Sequence, residues 1–125
     1  MLGFKKVNHD VFRYYNRLGR VQEYIEANYA EEISLDSAAR VATMESSYFS
    51  NYFHKKVGIR FGDWVRQVRV EKAIELIKSS NHSLTYVAYE VGFADLRAFE
   101  RAFKKCMGMT PFQYKKSVRP DALRG

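Results

Sequence analysis

Two stretches of the chain repeat one another: SLDSAARVATMESSYFSNYFHKKVG from Ser34 and SLTYVAYEVGFADLRAFERAFKKCMG from Ser83. Each opens on Ser-Leu, carries an alanine five residues on (Ala39, Ala88), passes a hydrophobic turn residue, and closes on an aromatic residue, paired lysines and a glycine. The second has one extra residue in its turn. Small residues let two helices approach closely, and apolar residues on one side of the second helix bury against the first. The spacing therefore predicts, twice over, a short helix, a turn of three or four residues and a second helix.

The rest of the chain fits around these units. Phe12, Tyr15, Leu18, Val21, Tyr24, Ile25 and Tyr29 recur at three- and four-residue steps, as in one helix with a core-facing stripe, weakened at Gly19. Ser34 precedes Leu35, Ala38, Ala39 and Ala42 as an N-cap precedes a short helix; Tyr48, Phe49, Tyr52 and Phe53 are expected inward on the next, which Gly58 ends. A linker helix is expected over about 61–78, with Phe61, Trp64, Val65, Val68, Ala73, Ile74 and Ile77 in helical period. Ser83 and Asp95 cap the helices of the second unit, and Thr110 with Pro111 starts a last one carrying Phe112 and Tyr114. No segment reads as a strand. The expected fold is all-α, about seven helices, with helix-turn-helix units at about 34–58 and 83–108.

The chain resembles the DNA-binding domain of the AraC/XylS family of bacterial transcription regulators. Val87 to Tyr114 carries most of the likeness, through VAYEVGFAD, AFERAFKKCMG and TPFQY, and Trp64, Arg69, Ala73 and Ile77 fit that family's linker helix. The likeness spans about residues 17–118. It leaves 1–16 as an extension or the remnant of a linker to an N-terminal sensing domain, and 119–125 as a tail. The resemblance implies a complete short regulator or one domain of a longer, ligand-responsive protein.

In a helix-turn-helix the second helix lies in the major groove, its first side chains against base edges, while flanking groups hold phosphates. By alignment with the family, base contacts fall on Leu96, Arg97, Glu100 and Arg101 in the second unit and on Ser46, Ser47, Ser50 and Asn51 in the first. Arg can bridge guanine O6 and N7, Glu can accept from cytosine N4, Asn can read adenine, and Ser is permissive. Family members often carry Arg where Asn51 stands, so the second unit is expected to supply more of the charge-dependent affinity. Lys55, Lys56, Arg66, Lys104, Lys105 and Lys115 are expected on phosphates; Arg69 is equally compatible with phosphate contact and with a buried structural pairing. The 18-residue linker spans roughly 27 Å. With the flanking units this nearly matches the groove repeat, so one monomer is expected to read an asymmetric site about two turns long, bending the DNA.

Charge is distributed to suit. The chain of 125 residues carries a net +7, but residues 97–125 hold +6 and residues 21–50 hold −5. An acidic block from Glu23 to Glu45 would be repelled from DNA and is free to meet RNA polymerase or a partner domain. With 46% hydrophobic residues the chain can bury a core, which excludes a disordered basic tail. Stacking on single-stranded nucleic acid is disfavoured because Phe49, Phe53, Phe99 and Phe103 sit at inward positions. One cysteine and three scattered histidines give no disulfide or zinc site, and no phosphate loop, dinucleotide fingerprint or activated nucleophile is present, so neither cofactor nor catalysis is expected. The first ten residues lack an apolar signal region and no run is long enough to cross a bilayer, so a cytoplasmic protein without membrane contact is expected. Two functions fit: sequence-specific recognition of double-stranded DNA, or a regulatory module that binds protein, with weak DNA contact or none.

Overall fold

The computed structural model describes residues 3–120, and among them it holds eight α-helices and no strand. They are α1 (Val11–Tyr14), α2 (Asn16–Asn28), α3 (Leu35–Val41), α4 (Ser46–Val57), α5 (Phe61–Ser79), α6 (Leu84–Glu90), α7 (Leu96–Met107) and α8 (Pro111–Val118). The all-α expectation holds. Two compact units divide the chain: residues 5–65 form the N-terminal unit, and residues 66–120, with Gly3 and Phe4, the C-terminal unit. The expected tail, 119–125, lies mostly outside the described residues. No described helix is long and apolar enough to cross a membrane.

In the N-terminal unit, Leu18, Val21 and Ile25 of α2, Ala38 and Ala39 of α3 and Phe49, Phe53 and Val57 of α4 are buried together. Phe53 is the hub: its ring centroid lies 5.7 Å from Phe49, 5.4 Å from Phe61 and 5.3 Å from Trp64. The single helix expected from Phe12 to Tyr29 is instead two. The backbone is extended at Tyr15 (φ −110°, ψ 107°), which separates α1 from α2. Gly19 makes the fold-back possible, since a Cβ there would sit 2.8 Å from the Phe12 carbonyl oxygen.

Two residues of the segment expected to be an extension thereby join the core. Val11 and Phe12 are buried, and Phe12 stacks on Trp64 at 5.2 Å. Ahead of α1, the Asn8 N–H donates to the Val57 carbonyl at 2.8 Å, and Lys5 pairs with Asp63 at 2.8 Å. Tyr15, no longer on the α2 stripe, is exposed. Tyr48 is exposed as well: the stripe 49/53/57 fills the interface, and residue 48 lies about 100° around the helix from 49.

In the C-terminal unit Val87 and Ala88 of α6, with Val91 just after it, meet Phe99, Ala102, Phe103 and Cys106 of α7, all buried. Phe103 continues the core to Tyr114 of α8, ring to ring at 5.7 Å, while Phe112 is exposed.

The caps fall where the serines, threonine and aspartate predict. Ser34 accepts from Ser37 N–H at 3.0 Å, Ser83 from Tyr86 N–H at 3.1 Å, Asp95 from Ala98 N–H at 2.7 Å and Thr110 from Gln113 N–H at 3.1 Å. Each such cap is worth about 1 kcal/mol. The two turns share one pattern: Met44 N–H donates to the Ala39 carbonyl and Phe93 N–H to the Ala88 carbonyl, both at 2.9 Å. The residue before each is left-handed, Gly92 at φ 104° and Thr43 at φ 55°. For the β-branched Thr43 that conformation costs roughly 1–2 kcal/mol, a strain Gly92 escapes.

Candidate functional site

Each repeat presents its own set of outward side chains on its second helix. On α7, burial of Phe99, Ala102, Phe103 and Cys106 fixes the rotation of the helix, and Arg97, Glu100, Arg101, Lys104 and Lys105 are left exposed, with Leu96 half-buried. Arg97 and Arg101, four residues apart, share one face. Their guanidinium forks can each meet two acceptors on a base edge. Four of the five exposed groups are cations, so the face carries a net positive charge.

On α4 the same logic gives a different surface. Burial of Phe49, Phe53 and Val57 leaves Ser47, Asn51 and His54 exposed and Ser46 and Ser50 half-buried. The helix is capped by Glu45, whose carboxylate accepts from Ser47 N–H at 2.8 Å and Tyr48 N–H at 3.1 Å. The Ser47 amide first, then that of Tyr48, hold the Glu45 carboxyl below its ordinary range. Ser46 Oγ donates to Asp36 Oδ1 on α3. This end of α4 is short, neutral and flanked by carboxylates.

The expected phosphate-holding residues divide three ways. Lys55, Arg66, Lys104 and Lys105 are exposed. Lys56 is half-buried, its ammonium 5.0 Å from the centre of the Tyr15 ring and 5.9 Å from that of Tyr52. Lys115 is not at the surface: it is 7% exposed, and its Nζ donates to the His82 carbonyl at 2.8 Å. It is the least accessible of the expected phosphate-holding residues, its ammonium tying α8 to the chain before α6.

Arg66 and Lys105 converge with Arg69 and Arg101 on a concavity of about 520 Å³ whose apolar lining includes Phe93, Ala94, Ala98 and Ala102. Among the described residues, no acidic one lines it. The Arg69 guanidinium carbon lies 6.0 Å from the centre of the Phe93 ring. Burial, and next the charge of Arg66, pull its pKa below the ordinary arginine value. Arg69 thus joins the basic surface through packing, which the i, i+3 spacing from Arg66 hints at.

Sequence reasoning also missed Asp36, which lies ten residues before Ser46, and an aromatic concavity of about 390 Å³ on the N-terminal unit lined by Tyr14, Tyr15, Arg17, Met44, Tyr48 and Tyr52. Spacing alone expects Tyr15 and Tyr48 in the core. The break before α2 is what releases the first of them.

Comparison with known proteins places this arrangement. A family model described as a helix-turn-helix domain matches residues 38–117. The chain is 27% identical to the regulatory protein PocR of Salmonella typhimurium over 86% of its own length and 35% of that protein's. It therefore spans about a third of that curated relative. Among solved structures, the C-terminal domain of the two-component response regulator yesN from Fusobacterium nucleatum is 34% identical, with a TM-score of 0.75 over 80% of this chain and 98% of that one. The DNA-binding domain of AdpA, solved with a target DNA, shares the fold at TM-score 0.77 and 24% identity, over 86% of this chain and 96% of that one. With a helix-turn-helix model over most of its length and two capped units built to one pattern, the chain belongs to the AraC-type helix-turn-helix family of transcription regulators.

Proposed function

We propose that this chain is the DNA-reading part of a bacterial transcription regulator, recognising double-stranded DNA by sequence. The observation that supports it best is the outward face of α7, where Arg97 and Arg101 stand exposed on one side above a buried phenylalanine pair. In this reading Leu96, Arg97, Glu100 and Arg101 face base edges. Arg66, Lys104 and Lys105 hold phosphates beside them, with Arg69 behind. On α4, Ser46, Ser47, Ser50 and Asn51 form the second reading set, with Lys55 and Lys56 on phosphate. The DNA-binding domain of AdpA, which shares this fold, was solved in complex with a target DNA, which supports DNA as the partner.

One monomer is proposed to read an asymmetric site, α4 and α7 each taking a stretch of major groove. Of the acidic block from Glu23 to Glu45, Glu23, Glu26, Glu31 and Glu32 are proposed to meet RNA polymerase, since Glu45 caps α4 and Asp36 bonds its first residue. An effector or dimerisation domain is proposed to act through the rest of a longer regulator. No catalytic step is assigned.

The test is selection of bound duplexes from a random pool, followed by binding of variants to the selected duplex. The expected result is a long, asymmetric motif with two spaced elements. Arg97→Ala should weaken binding by roughly tenfold or more and relax one position, and Ser50→Ala should cost clearly less. Affinity should fall steeply with salt, with a log–log slope near 0.9 per phosphate neutralised. Equal losses at Arg97 and Ser50 would refute the unequal division. No enriched motif, with binding indifferent to salt, would point to the protein-binding module instead.

A further inference from the structure

A serine hydroxyl at a protein–DNA interface is ordinarily permissive, because it carries one proton to donate and lone pairs to accept with. Ser46 does not have that choice. It is the first residue of α4, the place on a recognition helix where side chains meet base edges. Its Oγ donates to Asp36 Oδ1 on α3, so its one proton is committed within the protein. What remains on Ser46 Oγ is acceptor capacity alone. Asp36 is exposed beside it and, ionised, is also acceptor-only. The neighbouring carboxylate of Glu45, turned onto the backbone N–H groups of Ser47 and Tyr48, adds no donor.

We propose that Asp36 is a specificity-determining residue: by accepting the Ser46 hydroxyl's hydrogen bond it leaves Ser46 Oγ, at the start of α4, with acceptor capacity alone, selective for bases that present an amino group in the major groove. Those are cytosine, through N4, and adenine, through N6; guanine O6 and thymine O4 would place acceptor against acceptor. Asp36 need not touch the base to do this. It fixes the direction of a hydroxyl that otherwise rotates to suit either kind of edge. The inference rests on the proposed DNA-reading role and sharpens it at one position.

The experiment is duplex selection with the intact chain, run in parallel on wild type, Asp36→Ala and Ser46→Ala, with circular dichroism confirming that each variant is folded. Wild type should enrich cytosine or adenine at one position of the element read by α4, by about tenfold over guanine and thymine. Asp36→Ala should flatten the preference at that position to within about twofold while leaving every other position unchanged. Ser46→Ala should flatten the same position, and the double variant should do no more than either single one. Removing a negative charge also raises affinity for any duplex, so the readout is the ratio between bases at that position. Three results would overturn the inference: a wild-type preference for guanine or thymine there, an Asp36→Ala selection profile identical to wild type, or flattening at a different position from Ser46→Ala. If wild type enriches no motif at all, the DNA-reading role falls and this inference with it; a wild-type motif that survives Asp36→Ala unchanged sinks the inference alone.

Discussion

Replacing Phe12 with alanine tests whether α1 belongs to the N-terminal unit. The side chain is 6% exposed, stacks on Trp64 at 5.2 Å and lies 6.3 Å from Phe53. Burying a phenylalanine is worth about 1.5–3 kcal/mol, and an aromatic pair adds about 0.5–1.5 kcal/mol. The cavity left behind brings the expected loss for Phe12→Ala to about 3–5 kcal/mol, a large share of the 5–15 kcal/mol typical of a whole domain. Trp64 is the chain's single tryptophan, so its fluorescence reports from inside the stack. In a urea titration followed by that signal, Phe12→Ala should move the midpoint sharply downward and change the native emission itself. Arg13→Ala, one residue on and exposed, should stay within about 0.5 kcal/mol of wild type. A loss below about 1 kcal/mol at Phe12, with unchanged emission, would mean that α1 is an appendage and that the packing argument is wrong.

Gly19→Ala should destabilise despite alanine's helix propensity, by about 1–3 kcal/mol, because the new Cβ would sit 2.8 Å from a backbone oxygen; a raised thermal midpoint would contradict this. Lys115→Ala should lower stability by about 1–3 kcal/mol through loss of the buried bond to the His82 carbonyl and leave the salt dependence of DNA binding as it was. A salt slope smaller by about 0.9 would instead place Lys115 on a phosphate. Glu45 has a pKa lowered on folding, so its contribution is present above the unfolded-state value and is lost as pH falls through the folded-state value. Glu45→Gln should therefore flatten part of the acid limb of a stability-against-pH curve, and an unchanged acid limb would deny Glu45 that role.

Most of the helical framework was readable because its signals are local. Ser34, Ser83, Asp95 and Thr110 cap the helices they precede, and Phe49, Phe53, Phe99 and Phe103 hold the inward positions that their spacing requires. What escaped depended on contacts between residues distant in sequence. An unbroken 3.6-residue pattern from Phe12 to Tyr29 says nothing of a chain reversal at Tyr15, since both halves keep apolar residues in helical register. Lys115 looked like a surface cation because its partner is a backbone carbonyl 33 residues away, which carries no side-chain signature. The same holds for the site. Arg97 and Arg101 were legible from the repeat, whereas the Asp36–Ser46 bond joins α3 to α4 across the turn, and Glu45, one charge of an acidic block by sequence, caps α4 at the surface.

Both second helices of the repeat start on a carboxylate, Glu45 before α4 and Asp95 before α7. A helix N-terminus is ordinarily an anion seat, with unpaired N–H groups and the positive end of the dipole facing outward. Here part of that seat is already taken, by Glu45 on the amides of Ser47 and Tyr48 and by Asp95 on that of Ala98. A phosphate approaching either helix end meets a fixed negative charge before it meets a free amide. On the proposed reading, attraction to a nucleic-acid backbone then comes from mobile side chains rather than from the helix ends, which gives α7 cations along its outward face and gives α4 its lysines, Lys55 and Lys56, only in the last turn.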